Sequence, residues 1–229
     1  MKKIKFYIFP LILIFVISCS EENEQIDEIN DNEIIDSELE SQNEGEYGYT
    51  NFLKENSIIP LIKSSSANPI DFIEFSSFTC SHCAAFHNET LAELKKSDLF
   101  KNINYYVIDF PLNQPAFYAS IIANCDESIR PSYIESVYEN YEVWVNAESG
   151  EEIINLLNSY SLQLGLAEDQ LNACLENEEL QNYLLNLQVD SQNIFGVEST
   201  PTFIVGGEKI KGNRPASEFI KIITKKLKK

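Results

Sequence analysis

Two cysteines three positions apart, Cys80 and Cys83 in Thr79-Cys80-Ser81-His82-Cys83, are the residues of this chain best suited to covalent chemistry. A pair at this spacing can be a redox couple, half of a metal site or a structural bridge. Its surroundings favour the first. Ile70 to Phe75 reads as a buried strand, and Ala84 to Lys96 carries Phe86, Leu91 and Leu94 at roughly helical spacing, so Cys80 falls at a helix N-terminus. Unpaired backbone amides and the positive end of the helix dipole stabilise a thiolate there, and the thiolate is the reactive form of sulfur. A structural bridge at this spacing would restrict almost no chain entropy. Structural zinc normally takes four ligands, and no second cysteine pair of matching spacing is present. Redox exchange needs one accessible, acidified thiolate and a neighbouring sulfur to close the ring, which this arrangement supplies.

Two further residues bear on the pair. Glu74 stands six positions before Cys80 in an otherwise apolar strand, where a lone carboxylate is costly to bury. The competing reading leaves it wet at a sheet edge. His87 shares a helix face with Cys80 and Cys83 at i, i+3 and i+7, a set able to ligate copper or zinc. The simpler expectation for His87 is an exposed helix residue.

The elements that must position these groups are legible as patterns. Asn104 to Phe110 reads as a second strand, rich in strand-favouring types, followed by Pro111 and Pro115. Ile134, Val137, Tyr138, Tyr141, Trp144 and Val145 keep a helical rhythm, and Ser149 with Glu152 offers a capping box for the next helix. The pattern resumes from Leu180 to Phe195 and stops at Gly196. Thr202 to Val205, Gly206-Gly207 and a short strand through Ile210 form a hairpin, with a closing helix from about Pro215. This order predicts an α/β sheet domain interrupted by an all-helical insertion.

The first residues carry a different message. Met1-Lys2-Lys3-Ile4-Lys5, an apolar run from Phe6 to Ile17 and Ser18-Cys19 read as a secretion signal over residues 1–18. Val16-Ile17-Ser18-Cys19 resembles the bacterial lipoprotein box, which makes Cys19 the expected lipidated N-terminus. Residues 20–46 contain twelve acidic side chains with no Lys, Arg or aromatic residue, and so read as a disordered tether within residues 19–47. The net charge of −19 argues against nucleic acid as a partner.

Phe72-Ile73-Glu74-Phe75-Ser76-Ser77-Phe78-Thr79-Cys80-Ser81-His82-Cys83 resembles the active-site segment of DsbA-type thiol:disulfide oxidoreductases, thioredoxin-fold proteins of the bacterial cell envelope. Four more blocks resemble that family in order: Asp109-Phe110-Pro111-Leu112 through Cys125, Tyr138 to Trp144, Leu164-Gly165-Leu166 through Cys174-Leu175, and Gly196-Val197-Glu198-Ser199-Thr200-Pro201-Thr202-Phe203. Together they cover about residues 68–229. The implied architecture is a thioredoxin-like fold made from 48–112 and 189–229, with a helical insertion over 113–188.

The resemblance implies roles residue by residue. Cys80 is the exposed nucleophile of a redox-active disulfide and Cys83 the resolving thiol, with His82 stabilising the Cys80 thiolate and Glu74 taking the Cys83 proton. Ser81 departs from the proline common in the family. Pro201 is implied to be cis against the disulfide, with Thr200 pairing to the backbone of an extended substrate. Cys125 and Cys174 are implied to form a second, structural disulfide. The implied activity is disulfide transfer to reduced secreted or envelope proteins, with no cofactor and no metal, and a DsbB-like membrane protein as electron acceptor. The implied place is the cell envelope or periplasm, on a lipid anchor. The alternatives on the same scaffold are a reductase or isomerase, and a copper or zinc metallochaperone using Cys80, Cys83 and His87.

Overall fold

The computed structural model describes residues 48–228, and the expected signal, acidic tether and Cys19 lie outside them. After a helix over residues 48–55 (α1), strand β1 (Ile70–Ser76) leads into α2 (Ser81–Ala85), a π-helical stretch (Phe86–Leu91) and α3 (Ala92–Lys95). Strand β2 (Ile103–Asp109) follows, then six helices: α4 (Gln114–Ala123), α5 (Arg130–Glu139), α6 (Tyr141–Val145), α7 (Gly150–Gln163), α8 (Glu168–Leu175) and α9 (Glu178–Phe195). The chain closes with β3 (Thr202–Val205), β4 (Glu208–Lys211) and α10 (Ala216–Lys226).

The sheet order is β2-β1-β3-β4, with β1 parallel to β2 and the other neighbours antiparallel. Both faces of the sheet are covered, which is why β1 and β2 read as near-continuous apolar runs rather than alternating ones. The period of two still sorts their side chains. Ile70, Phe72, Ile103, Tyr105, Val107, Phe203 and Val205 pack in one core with Phe86, Phe219 and the buried helix residues Tyr133, Tyr138 and Trp144. Ile73, Phe75, Tyr106, Ile108 and Ile204 pack in the other, against Phe52 of α1 and Leu187 of α9. Glu74 and Ser76 have the parity of Phe72, so they point to the face that carries Cys83. An aromatic cluster of Phe72, Phe86, Phe203 and Phe219, with ring centroids between 4.6 and 6.2 Å apart, anchors the active-site helix to the strands.

Local signals behave as their chemistry dictates. Gly206 and Gly207 both take positive φ, as a two-residue hairpin turn of the type that matches strand twist requires. Gly196 ends α9 at φ 58°. Ser149 accepts from the Glu152 amide, while the Glu152 carboxylate turns to the amide of Glu148 instead of closing the box on Ser149. Positions 188 and 189 fall inside α9, which packs on β2 as well as on α4. Cys125, just after α4, and Cys174 in α8 are joined by a disulfide. Among the described residues no helix is long and apolar enough to cross a membrane.

Candidate active site

The site forms where β1 ends and its chain turns into α2. Phe78 is buried in that turn and stacks on Tyr138 at 5.3 Å, Tyr141 Oη donates to the Thr79 carbonyl at 3.1 Å, and the Ser77 hydroxyl accepts from the Leu112 amide. Helix α5, α6 and the chain beyond β2 therefore all grip the loop that presents Cys80. Cys80 is the N-cap of α2, with extended backbone, and its carbonyl accepts from the amides of Cys83 and Ala84. Helical spacing then carries Cys83 one turn inward, where it is fully buried. Both are free thiols.

The two sulfurs are driven apart electrostatically. The Cys80 thiol is lowered to about 5, chiefly by a hydrogen bond from Cys83, with further help from Thr200 and the backbone N–H groups of Cys83 and His82; partial burial opposes them. Burial pushes the Cys83 thiol well up, and the hydrogen bond to Cys80 and the negative charge of Glu74 add to it. The outer sulfur is thus the thiolate and the inner one the proton carrier. What His82 brings to Cys80 is its backbone N–H, while its side chain stands exposed.

Opposite Cys80 runs the segment that enters β3. The Thr200–Pro201 peptide bond is cis, and the Thr200 carbonyl accepts from the Cys80 thiol at 3.2 Å. The Thr200 hydroxyl is buried without a hydrogen-bond partner, leaving it available to the thiolate form. Thr202 Oγ1 donates to the Ser199 carbonyl at 2.7 Å and Gly212 to the Pro201 carbonyl, which tie the segment in place.

Beneath the cysteines, Glu74 is fully buried, so the wet-edge alternative does not hold. Its neighbours were not anticipated. Ser76 Oγ donates to Glu74 Oε1 at 2.6 Å and lies 2.8 Å from Tyr138 Oη, and Tyr105 donates to Glu74 Oε2. The Ser76 hydroxyl also acts on the Cys83 thiol in the lowering direction, against burial, which places it between sulfur and carboxylate. Burial holds the Tyr105 and Tyr138 hydroxyls well above the ordinary phenol range, so both stay protonated donors. Their expected roles were only apolar strand and helix positions. The available signal was the general need of a buried tyrosine hydroxyl for a partner, which names no partner.

His87 requires a correction. It is not an exposed helix residue: its side chain is 7% exposed, Nε2 lies 3.0 Å from Glu74 Oε2, and the ring stacks on Tyr138 at 4.2 Å. The face it shares with Cys83 is the core face, so the same spacing that suggested a metal set turns the imidazole inward to a carboxylate. Among the described residues no group of three or more His, Cys, Asp and Glu is arranged to hold a metal ion.

The chain is similar to several known proteins. A protein of Rickettsia prowazekii, provisionally named a protein-disulfide oxidoreductase, is 24% identical over 154 residues, which are 64% of this chain and 54% of the relative. The chain thus spans about half the length of that relative. A counterpart from Rickettsia felis is 22% identical, covering 88% of this chain and 87% of its own length. The crystal structure of Wolbachia pipientis α-DsbA1 superposes with a TM-score of 0.63 at 21% identity, over 71% of this chain and 87% of that one, which shows a shared fold. The family model described as thioredoxin matches residues 64–225, well over half the sequence, and it does so across β1, the two cysteines, the helical insertion and the cis-proline turn. The chain therefore belongs to the thioredoxin family.

Proposed function

We propose that this protein is a DsbA-like thiol:disulfide oxidoreductase that donates the Cys80–Cys83 disulfide to reduced proteins of the cell envelope. The observation that carries the reading is the placement of Cys80 at the N-cap of α2, against the cis Thr200–Pro201 turn with Cys83 buried one turn inward, an arrangement that lowers the Cys80 thiol to about 5. A stabilised thiolate stabilises the reduced enzyme, and a more stable reduced form makes its disulfide more oxidising. The same argument disfavours a reductase.

In the reaction, a substrate thiolate attacks Cys80 of the enzyme disulfide. The Cys80–Cys83 bond breaks, a substrate–Cys80 bond forms, and Cys83 leaves as a thiolate. Glu74, through Ser76, is the proposed source of the proton that neutralises Cys83. A second substrate thiolate then attacks the substrate sulfur, and Cys80 leaves as the stable thiolate. Two electrons pass from substrate to enzyme. The Thr200 backbone, beside Cys80, is the proposed rail for an extended substrate, and the backbone N–H of His82 helps to hold the Cys80 thiolate. Reoxidation calls for a membrane redox partner of the DsbB type. A lipid on Cys19 and the acidic segment after it would hold the domain off a membrane surface.

The test uses the oxidised protein and a reduced peptide with two cysteines. Mass spectrometry after acid quench should find the peptide short of two hydrogens and the Cys80–Cys83 pair reduced in equal amount. A peptide left as a dithiol beside an intact enzyme disulfide would refute the proposal.

A further inference from the structure

Glu74 can serve Cys83 repeatedly only if its proton has a way out, and Glu74 itself is 0% exposed. Tyr105 and Tyr138, which also enclose it, are each 1% exposed and stay protonated, so neither is a titrating group that carries the proton to solvent. His87 is the remaining neighbour. Its Nε2 touches Glu74 Oε2 at 3.0 Å and stands 3.4 Å from Tyr105 Oη. His87 also forms part of the wall of a cleft of about 580 Å³ that opens between the active-site helix, β2 and α5. Lys95, Lys96, Glu135 and Glu139 line that cleft, and Lys95 pairs with Glu135 at 3.7 Å. The cleft is polar and wide enough to hold water.

From these contacts we infer that His87 is a relay that connects Glu74 to solvent on the face away from the substrate. The inference rests on the redox reading of Cys80 and Cys83. When Cys83 attacks a mixed disulfide on Cys80, its proton passes through Ser76 to Glu74, and the carboxyl hands it to the His87 imidazole, which releases it to water in the cleft. The Cys80–Cys83 bond forms as the bond from Cys80 to its bound partner breaks and that partner leaves as a thiolate, so charge and electrons balance with one proton exported. In the opposite direction the same groups carry a proton inward to the leaving Cys83. An imidazole suits the task because its ordinary pKa lies near neutrality. The titratable groups that face it are Glu74 on β1, Tyr105 on β2, Tyr138 on α5, and the lysines and glutamates of the cleft. The hydroxyl and carboxyl contacts make His87 a positioning and relay residue rather than one that meets substrate.

The reduced protein treated with Ellman's reagent, an aromatic disulfide, separates the steps. Cys80 displaces one aromatic thiolate in a bimolecular phase, and Cys83 then displaces the second in an intramolecular phase that requires loss of its proton. His87→Gln should slow the second phase about ten-fold, less than the effect of losing a direct acid or base, and leave the first within two-fold. In His87→Ala, added imidazole should restore the second phase. Glu74→Gln should slow the same phase, with no further loss when combined with His87→Gln. A second phase in His87→Gln within two-fold of wild type from pH 5 to 9, or both phases falling together without imidazole rescue, would overturn the relay. A wild-type protein with no second phase would instead refute the redox pair itself.

Discussion

Replacing Cys83 with alanine should stop turnover, by roughly a thousandfold or more as removal of a covalent group typically does, and leave substrate held on Cys80. The inner thiol has two functions that the substitution removes together. It closes the ring with Cys80, and its hydrogen bond is the largest influence holding the Cys80 thiol down at about 5. The Cys80 sulfur of the variant should accordingly titrate higher, toward the ordinary thiol value, and ionise less at neutral pH. It still lies beside Thr200 and keeps the backbone N–H of His82. A mixed disulfide, once formed on it, has no internal sulfur to resolve it. Non-reducing gels of Cys83→Ala should show a slow-migrating adduct that a reductant releases, while Cys80→Ser should show none. An adduct of equal strength in Cys80→Ser would place the reacting sulfur elsewhere.

The second large effect concerns stability. Cys125 and Cys174 are 49 positions apart, and a cross-link over a loop of that length removes enough denatured-state entropy to contribute about 4 kcal/mol in the chain-entropy model. The bridge ties the end of α4 to α8, elements that pack together inside the helical insertion. The double substitution Cys125→Ala/Cys174→Ala should lower Tm by about 10 °C, given the usual shift of a few degrees per kcal/mol for domains of this size. Calorimetry of oxidised samples checks this. Thiol exchange at Cys80 should stay within two-fold of wild type, because the bridge does not touch the β1–α2 turn. A loss below about 1 kcal/mol would mean that the helices are held by packing alone.

These expectations draw on features that were unequally visible in the sequence. The thiol pair was legible because an apolar strand followed by a helical pattern puts Cys80 at a helix N-terminus, where backbone amides favour a thiolate, with Cys83 one turn on. Glu74 was visible as an acid in an apolar run, and the Gly206-Gly207 hairpin and Gly196 stop follow from backbone sterics. The network around Glu74 was hidden because its members come from β1, the active-site helix, β2 and α5, with Ser76 and Tyr138 separated by 62 positions. No local period encodes such a meeting. His87 was read from the right face with the wrong consequence, since spacing says that residues share a side and tertiary packing decides whether that side is wet. The helix over 48–55 carries little signal in the sequence: Tyr49, Phe52 and Leu53 supply its buried face, but the pattern is too short to stand out beside the acidic run before it.

The buried network also separates two tasks that an exposed dithiol would confuse. Cys80 faces the Thr200–Pro201 turn and solvent, where substrate arrives, while Cys83 faces Ser76 and Glu74. Electrons are exchanged on one side and the proton is handled on the other. The direction of electron flow then depends on how far the reduced form is favoured, and that is a measurable quantity. Each unit by which the Cys80 thiol lies below the ambient pH raises the potential of a two-electron couple by about 30 mV.

The most direct test is therefore the equilibrium of the Cys80–Cys83 couple with glutathione at pH 7, read by acid quench, alkylation and mass. The account predicts a potential well above that of a reductant, on the oxidising side of about −200 mV and toward the value of about −120 mV known for strong dithiol oxidants. A value near −270 mV, where cytosolic reductants sit, would contradict it.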